Sequence, residues 1–199
     1  AINSAGGTFL SEDGTKVTVD SPEAREGLQH LVDMFQNGDI NEAAITYKEQ
    51  ESANAFLDGK LMFLRNWPYV YTAASADDSA IKGKFGMAQL PGKDGLGVSS
   101  LGGIDLAVNA FSKNKETAKA WVEWMQSEEA QRVLVSVMNQ ASVHTDLYTD
   151  PDLVAVSPYL PTLKESELTA VPRPQTPNYN AVSLAIQKNG YAALQGQLT

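Results

Sequence analysis

Phe56-Leu57-Asp58-Gly59-Lys60-Leu61-Met62-Phe63-Leu64-Arg65-Asn66-Trp67 is the stretch on which the reading of this chain turns. Ala53, Phe56 and Leu57 fall at helical spacing, Gly59 supplies the positive φ that ends a helix, and residues 61–64 form a short unbroken apolar run. The order predicted is helix, tight turn, buried strand, and then an aromatic, Trp67, where the strand exits between Asn66 and Pro68. An α/β protein presents a ligand at such strand ends.

Upstream, Asp20-Ser21-Pro22-Glu23 is a helix start, with a capping oxygen, a proline in the first turn and acidic side chains at the positive helix end. Leu28, Leu31, Val32 and Phe35 continue it as an apolar stripe that Gly38 closes. Phe9-Leu10 and Val17-Thr18-Val19 flank an Asp13-Gly14 turn and predict a hairpin before this helix. Downstream, a short helix is predicted from Trp67 to about Ala76, then strands over 85–90 and 104–108 on either side of a glycine-rich loop. Ala118, Trp121, Val122 and Met125 make one amphipathic stripe, and Ala130, Val133, Leu134, Val137 and Met138 a second after the cap Ser127. Prolines 158, 161, 172, 174 and 177 impose extended or turning backbone around one short helix, and a last helix runs from Tyr179 to about Leu194. Alternating strands and helices give an α/β layered fold.

With 199 residues and 43% hydrophobic content the chain can bury a core as one large or two modest domains. A formal charge of −9 repels nucleic-acid phosphates and anionic lipid surfaces, so no nucleic-acid partner is expected. The absence of cysteine excludes disulfides, thiol catalysis and cysteine-ligated metal sites, and leaves the compartment open. No run of about 18 apolar residues offers a membrane span.

The inventory for catalysis is thin. His30 lies inside the first amphipathic helix and reads as a surface imidazole, and His144 sits in a loop near Asp146. No metalloprotease, serine-hydrolase or phosphate-loop pattern is present, and no metal or cofactor is expected. Asp77-Asp78, Glu128-Glu129 and Asp105 are the acidic candidates for glycoside hydrolysis. Adjacent surface carboxylates are ordinarily solvated, whereas Asp105 interrupts an apolar run just after Gly102-Gly103, where a side chain can face a cleft. Of the aromatics, Tyr71 reads as core and Trp67 as a ligand platform, since a flat indole covers the apolar face of a sugar ring while neighbouring polar groups bond its hydroxyls. About 100 Å² buried on one indole face gives roughly 2.5 kcal/mol, against about 8 kcal/mol for a micromolar ligand. Polar groups such as Asn66, Asp105 and Arg173 have to supply the remainder.

Three motifs occur in order: Phe56-x-x-Gly59-Lys60-x-Met62 with Trp67, Ser100-Leu101-Gly102-Gly103-x-x-Leu106-Ala107-Val108, and Arg173-Pro174-x-Thr176-Pro177-x-Tyr179-x-x-x-Ser183. With Ser112-Lys113-Asn114-Lys115-Glu116-x-Ala118 leading the helix between them, the chain resembles the extracellular solute-binding proteins of sugar ABC transporters, the family of maltose- and trehalose-binding proteins. The resemblance implies a periplasmic-binding-protein-like (type II) C-terminal lobe, a mixed sheet flanked by helices, with the N-terminal lobe missing. It divides the chain into 1–103 and 143–199 of that lobe, and 104–142, which in the family crosses to the other lobe.

What it implies for function is a sugar or oligosaccharide bound in an interlobe cleft for delivery to ABC permease subunits, outside the cytoplasm, in the periplasm or as a cell-surface lipoprotein, without catalysis. The ligand residues it implies are Trp67 as the stacking aromatic, with Asn66, Gly102, Gly103, Asp105, Arg173 and Tyr179. Ile104 stands where family members often carry a second aromatic, which tells against a maltose-like oligosaccharide. Trp121, Val122, Met125, Leu134, Val137 and Met138 are expected to lack their native cover, at about 1.5–3 kcal/mol per large side chain exposed, so that the helices repack on the lobe or pair in a homodimer. The alternatives are an extracellular carbohydrate-active enzyme or its accessory carbohydrate-binding module, and a sensor or adhesion module.

Overall fold

The computed structural model describes residues 1–198 and divides into two compact units. The first consists of Ala1–Ser52, Gln89–Leu101 and the chain from Thr169 on, the second of Ala53–Ala88 and Gly102–Leu168.

In the first unit, helix α1 (Pro22–Gln36) starts where its cap predicts, with Ser21 Oγ accepting from Ala24 N at 3.1 Å and Pro22 in the first turn. The hairpin before it is present as an antiparallel bridge between Leu10 and Val17. Its turn is held by Asp13, whose Oδ1 accepts from Ser11 Oγ, Thr15 N and Thr15 Oγ1 at 2.5, 3.0 and 2.8 Å. Those donors, Ser11 foremost, lower the Asp13 carboxyl to about 2. Strands β1 (Pro91–Gly92) and β2 (Gly95–Leu96) form a two-residue antiparallel pair. A parallel bridge joins Ser100 to Val171, with Leu101 N donating to Val171 O and Val171 N to Ser99 O, both at 2.8 Å. Helix α8 (Tyr179–Leu194) packs on α1, and Gln36 Nε2 donates to Leu194 O at 2.5 Å.

Helix α2 (Glu49–Leu57) begins in the first unit and ends in the second. It stops as the opening stretch predicts: Gly59 has φ +72°, its N–H donates to Phe56 O at 2.9 Å and that of Lys60 to Ala55 O at 3.0 Å.

The second unit is otherwise helical, with α3 (Val70–Ser75), α4 (Lys115–Met125), α5 (Glu128–Met138), α6 (Pro151–Val156) and α7 (Leu160–Leu168). Its core gathers Val135, Leu147, Tyr148, Leu153, Tyr159 and Leu160, with Tyr71 packed against it as read from the sequence. The Tyr71 ring lies 4.6 Å from that of Tyr159 and 5.2 Å from that of Phe85. Buried polar groups are paired. Gln131 Oε1 accepts from Ser142 Oγ and Val143 N, both at 3.0 Å, and its Nε2 donates to Met125 O at 2.9 Å. Asn139, left-handed at φ +48°, ends α5 and bonds Thr72, Ser157 and Tyr159.

Several local expectations are corrected. Residues 61–64 form no strand and bend at Met62, and Met62 and Phe63 are each 85% exposed, so the run is not buried. Residues 85–90 and 104–108 likewise join no sheet among the described residues. A strand exists only when a second backbone takes up its hydrogen bonds, and an apolar run says nothing of that partner. The proline-rich third holds two short helices before Thr169, not one. Asp150 Oδ1 caps α6 by accepting from Asp152 N and Leu153 N, ahead of Pro151, and α7 follows. Helices α4 and α5 form as predicted, α5 capped by Ser127. No residue of α4 is buried, and Trp121, Trp124, Val137 and Met138 are exposed.

Candidate functional site

Trp67 stands between α2 and α3 in the second unit. Its backbone N–H donates to Asn66 Oδ1 at 2.8 Å, and its carbonyl accepts from Val70 N at 3.2 Å as α3 begins. The indole is 39% exposed, and the edge of its six-membered ring lies on Gly102. A Cβ at position 102 would stand 2.6 Å from Trp67 Cη2 and 2.9 Å from Cζ3, closer than any side chain tolerates. Trp67 and Gly102, two of the residues read from the sequence, are therefore in contact, with Asn66 on the flank.

Gly103 and Asp105 belong to the same unit and are exposed. Ile104, where the resemblance leads one to look for an aromatic, is 80% exposed. Tyr69, two residues past Trp67, is also exposed.

Arg173 and Tyr179 belong to the first unit, where both line a hollow of about 190 Å³. Tyr179 opens α8, and Ser183 and Gln187 continue its face at one-turn intervals, Gln187 Nε2 donating to Ser183 Oγ at 2.9 Å. Asn3 and Ser100 complete the polar lining. Asn3 and Gln187 were not picked out by sequence reasoning. The spacing of Tyr179, Ser183 and Gln187 is the signal that points to Gln187, and nothing local points to Asn3.

Two of the acidic candidates for hydrolysis are engaged in ion pairs. Asp77 pairs with Lys82, and Glu128 Oε1 accepts from Arg132 Nε at 2.9 Å. Arg132 also bonds Asp150, and their hydrogen bond holds the Asp150 carboxyl below its ordinary value. His30 is exposed on α1, and His144 Nε2 lies 2.8 Å from Gln126 O. Among the described residues, no three side chains of metal-ligating type come together. No helix among them is long and apolar enough to cross a membrane.

Besides Asp13 in the first unit, shifted groups lie in the helical core of the second unit. Tyr148 Oη stands 2.6 Å from Glu167 Oε2 and 2.7 Å from Ser142 O. Burial, seconded by Glu167, pushes the Tyr148 hydroxyl well above its ordinary value. Burial raises the Glu167 carboxyl, while its bond to Tyr148 works in the opposite direction. Tyr159 is pushed up to about 12, chiefly by burial.

Comparison with known proteins gives this arrangement a context. The chain is 37% identical to a probable ABC transporter-binding protein of Deinococcus radiodurans, over 97% of this chain and 47% of that protein. The maltose-bound MalE3 of T. maritima superposes with a TM-score of 0.91 at 37% identity, covering 100% of this chain and 51% of that one. An ABC transporter solute-binding protein from Thermotoga lettingae, bound with α-D-tagatose, superposes with a TM-score of 0.85 at 27% identity, over 100% of this chain and 50% of that one. The chain thus spans about half the length of the relatives it matches. Its helix-rich layout with a small sheet is that of an α/β lobe of type II periplasmic binding proteins. Residues 1–132 match the family described as bacterial extracellular solute-binding protein, and with a 37% identical relative aligned along nearly its whole length, the chain belongs to that family.

Proposed function

We propose that this chain is part of the substrate-binding component of a carbohydrate ABC transporter, which takes a sugar into a cleft between two lobes and hands it to a membrane permease. On this reading residues 1–103 and 143–199 belong to one lobe, and 104–142 crosses to a second. The partly exposed indole of Trp67 carries the proposal: its benzo edge is seated on Gly102, and the exposed part of the ring can take the apolar face of a pyranose ring. Gly103 and Asp105 in the same unit, and Arg173 and Tyr179 in the first, are the polar and aromatic groups proposed to reach hydroxyls. The maltose on MalE3 and the tagatose on the Thermotoga lettingae protein support a sugar as the ligand class.

Binding proceeds without turnover, outside the cytoplasm, on a protein held at the cell surface by a lipid anchor or free in the periplasm. In the 199-residue chain on its own, the exposed faces of α4 and α5 are proposed to be covered by a second copy. Light scattering on that chain should give twice the monomer mass, and a strict monomer would refute the pairing.

Calorimetry on the intact protein with maltose, tagatose and a wider sugar panel tests the central reading. At least one sugar should bind, and Trp67→Ala should weaken it by about ten-fold or more. Failure of every sugar to bind, or release of reducing sugar from an oligosaccharide, would overturn it.

A further inference from the structure

Gly102 was read from the sequence as a ligand contact, and its place against Trp67 points to a further task. The position its Cβ would take is filled by the six-membered ring of Trp67, at 2.6 Å from Cη2, 2.9 Å from Cζ3 and 3.7 Å from Cζ2. Gly102 is not among the glycines with left-handed backbone, so alanine there carries no conformational penalty. What alanine cannot do is leave the indole where it is. The ring's own attachment is stiff on the other side. Asn66 Oδ1 takes the Trp67 N–H, and three successive backbone bonds, from Val70, Tyr71 and Thr72 N to Trp67, Pro68 and Tyr69 O, lead into α3, whose Thr72 receives a hydrogen bond from Asn139 Nδ2 at 2.5 Å. The backbone of Trp67 is thus held while its ring leans on position 102. A methyl there forces something to shift, and the far end of the indole, free to turn about its side-chain torsions, is the part that yields most cheaply.

We propose that Gly102 is a positioning residue: the missing side chain at 102 sets the tilt of the Trp67 indole, and with it the affinity for a ligand that stacks on Trp67. This rests on the sugar-binding reading only for the nature of the ligand. The contact between 102 and 67 stands apart from it.

The experiment has two arms. In the 199-residue chain carrying Trp121→Phe and Trp124→Phe, Trp67 is the sole indole, since the sequence holds three tryptophans. Gly102→Ala should shift its emission to longer wavelength and raise its quenching by acrylamide. Gly86→Ala, in the same unit and with nothing within 4 Å of its Cβ position, should leave both unchanged. In the intact protein, Gly102→Ala should weaken maltose binding by about ten-fold, the loss equivalent to one aromatic contact, and have no further effect in a Trp67→Ala background.

An emission spectrum as indifferent to Gly102→Ala as to Gly86→Ala would overturn the proposal. So would an equal loss of maltose affinity with and without Trp67, or a shifted spectrum with affinity intact. If the intact wild-type protein takes no sugar, the function reading fails, and the fluorescence arm still decides whether 102 positions 67.

Discussion

Asn139 Nδ2 donates to Thr72 Oγ1 at 2.5 Å while its Oδ1 accepts from Tyr159 Oη at 2.8 Å, so one left-handed residue ends α5, holds α3 and satisfies a buried phenol. Ser157 Oγ, itself buried, bonds the same oxygen at 3.2 Å. Replacing the side chain strands the buried Tyr159 and Ser157 hydroxyls away from water, while Thr72 is exposed. Asn139→Ala should destabilise the chain by about 2–4 kcal/mol, from unpaired buried groups and a left-handed β-carbon. Asn139→Gly removes the second cost alone and should recover about 1 kcal/mol of that loss in urea unfolding. Equal midpoints for the two variants would show that the backbone conformation contributes nothing.

Leu160 is 1% exposed and lies among Val135, Leu147, Tyr148 and Leu153. Leu160→Ala should cost about 2–5 kcal/mol through lost burial and an unfilled cavity. Leu184, 65% exposed on α8, is the matched surface control: Leu184→Ala should change the unfolding free energy by no more than about 0.5 kcal/mol. A thermal melt of both variants checks the contrast.

Glu167 sets a pH dependence whose sign can be worked out. Burial raises its carboxyl above the ordinary 4.5, so the folded chain holds a proton there that the unfolded chain releases. The stabilisation this gives is complete below pH 4.5 and declines as pH rises through the raised value. Glu167→Gln keeps an amide oxygen for Tyr148 and removes the charge, so wild-type minus variant stability should fall as the pH is raised from 4.5. A difference flat in pH would contradict the assignment. Asp13 acts in the opposite direction and in another window: lowered from 3.8 to about 2, it stabilises the fold above 3.8 and ceases to as the pH falls towards 2.

Ser21 caps α1 through Ala24 N, and Ser21→Ala should cost about 1 kcal/mol. Ser21→Asp should keep the cap, its carboxylate favoured by the positive helix end. Chemical denaturation of the two variants separates a lost hydrogen bond from a merely altered side chain.

What the sequence disclosed and what it hid divide along the range of the interactions. The starts of α1 and α5 at Ser21 and Ser127, the stop of α2 at Gly59 and the whole of α8 from Tyr179 to Leu194 depend on neighbours within a turn or two, and all were legible. The seating of Trp67 on Gly102 was not, since it depends on two segments distant in the chain, although both residues had been singled out. Residues 61–64 and 104–108 failed as strands for the same reason. Their composition is right, and no hydrogen-bonding partner within the described chain makes them a ladder. Asp150-Pro151 carried the same start signal as Ser21-Pro22 and was passed over among the prolines.

The interleaving of the two units bears on how the chain is made. Both stretches of the second unit, Ala53–Ala88 and Gly102–Leu168, are synthesised before Thr169, whereas the first unit still awaits Val171 for its bridge and α8 for the face of α1. Until α8 emerges, α1 has no helix to cover Leu31 and Phe35, which meet Ile186 and Tyr191 around one apolar hollow in the finished unit. The unit that contains α1 is thus completed only after the second unit has been synthesised, and until then the nascent chain carries an open apolar face where a chaperone would find it.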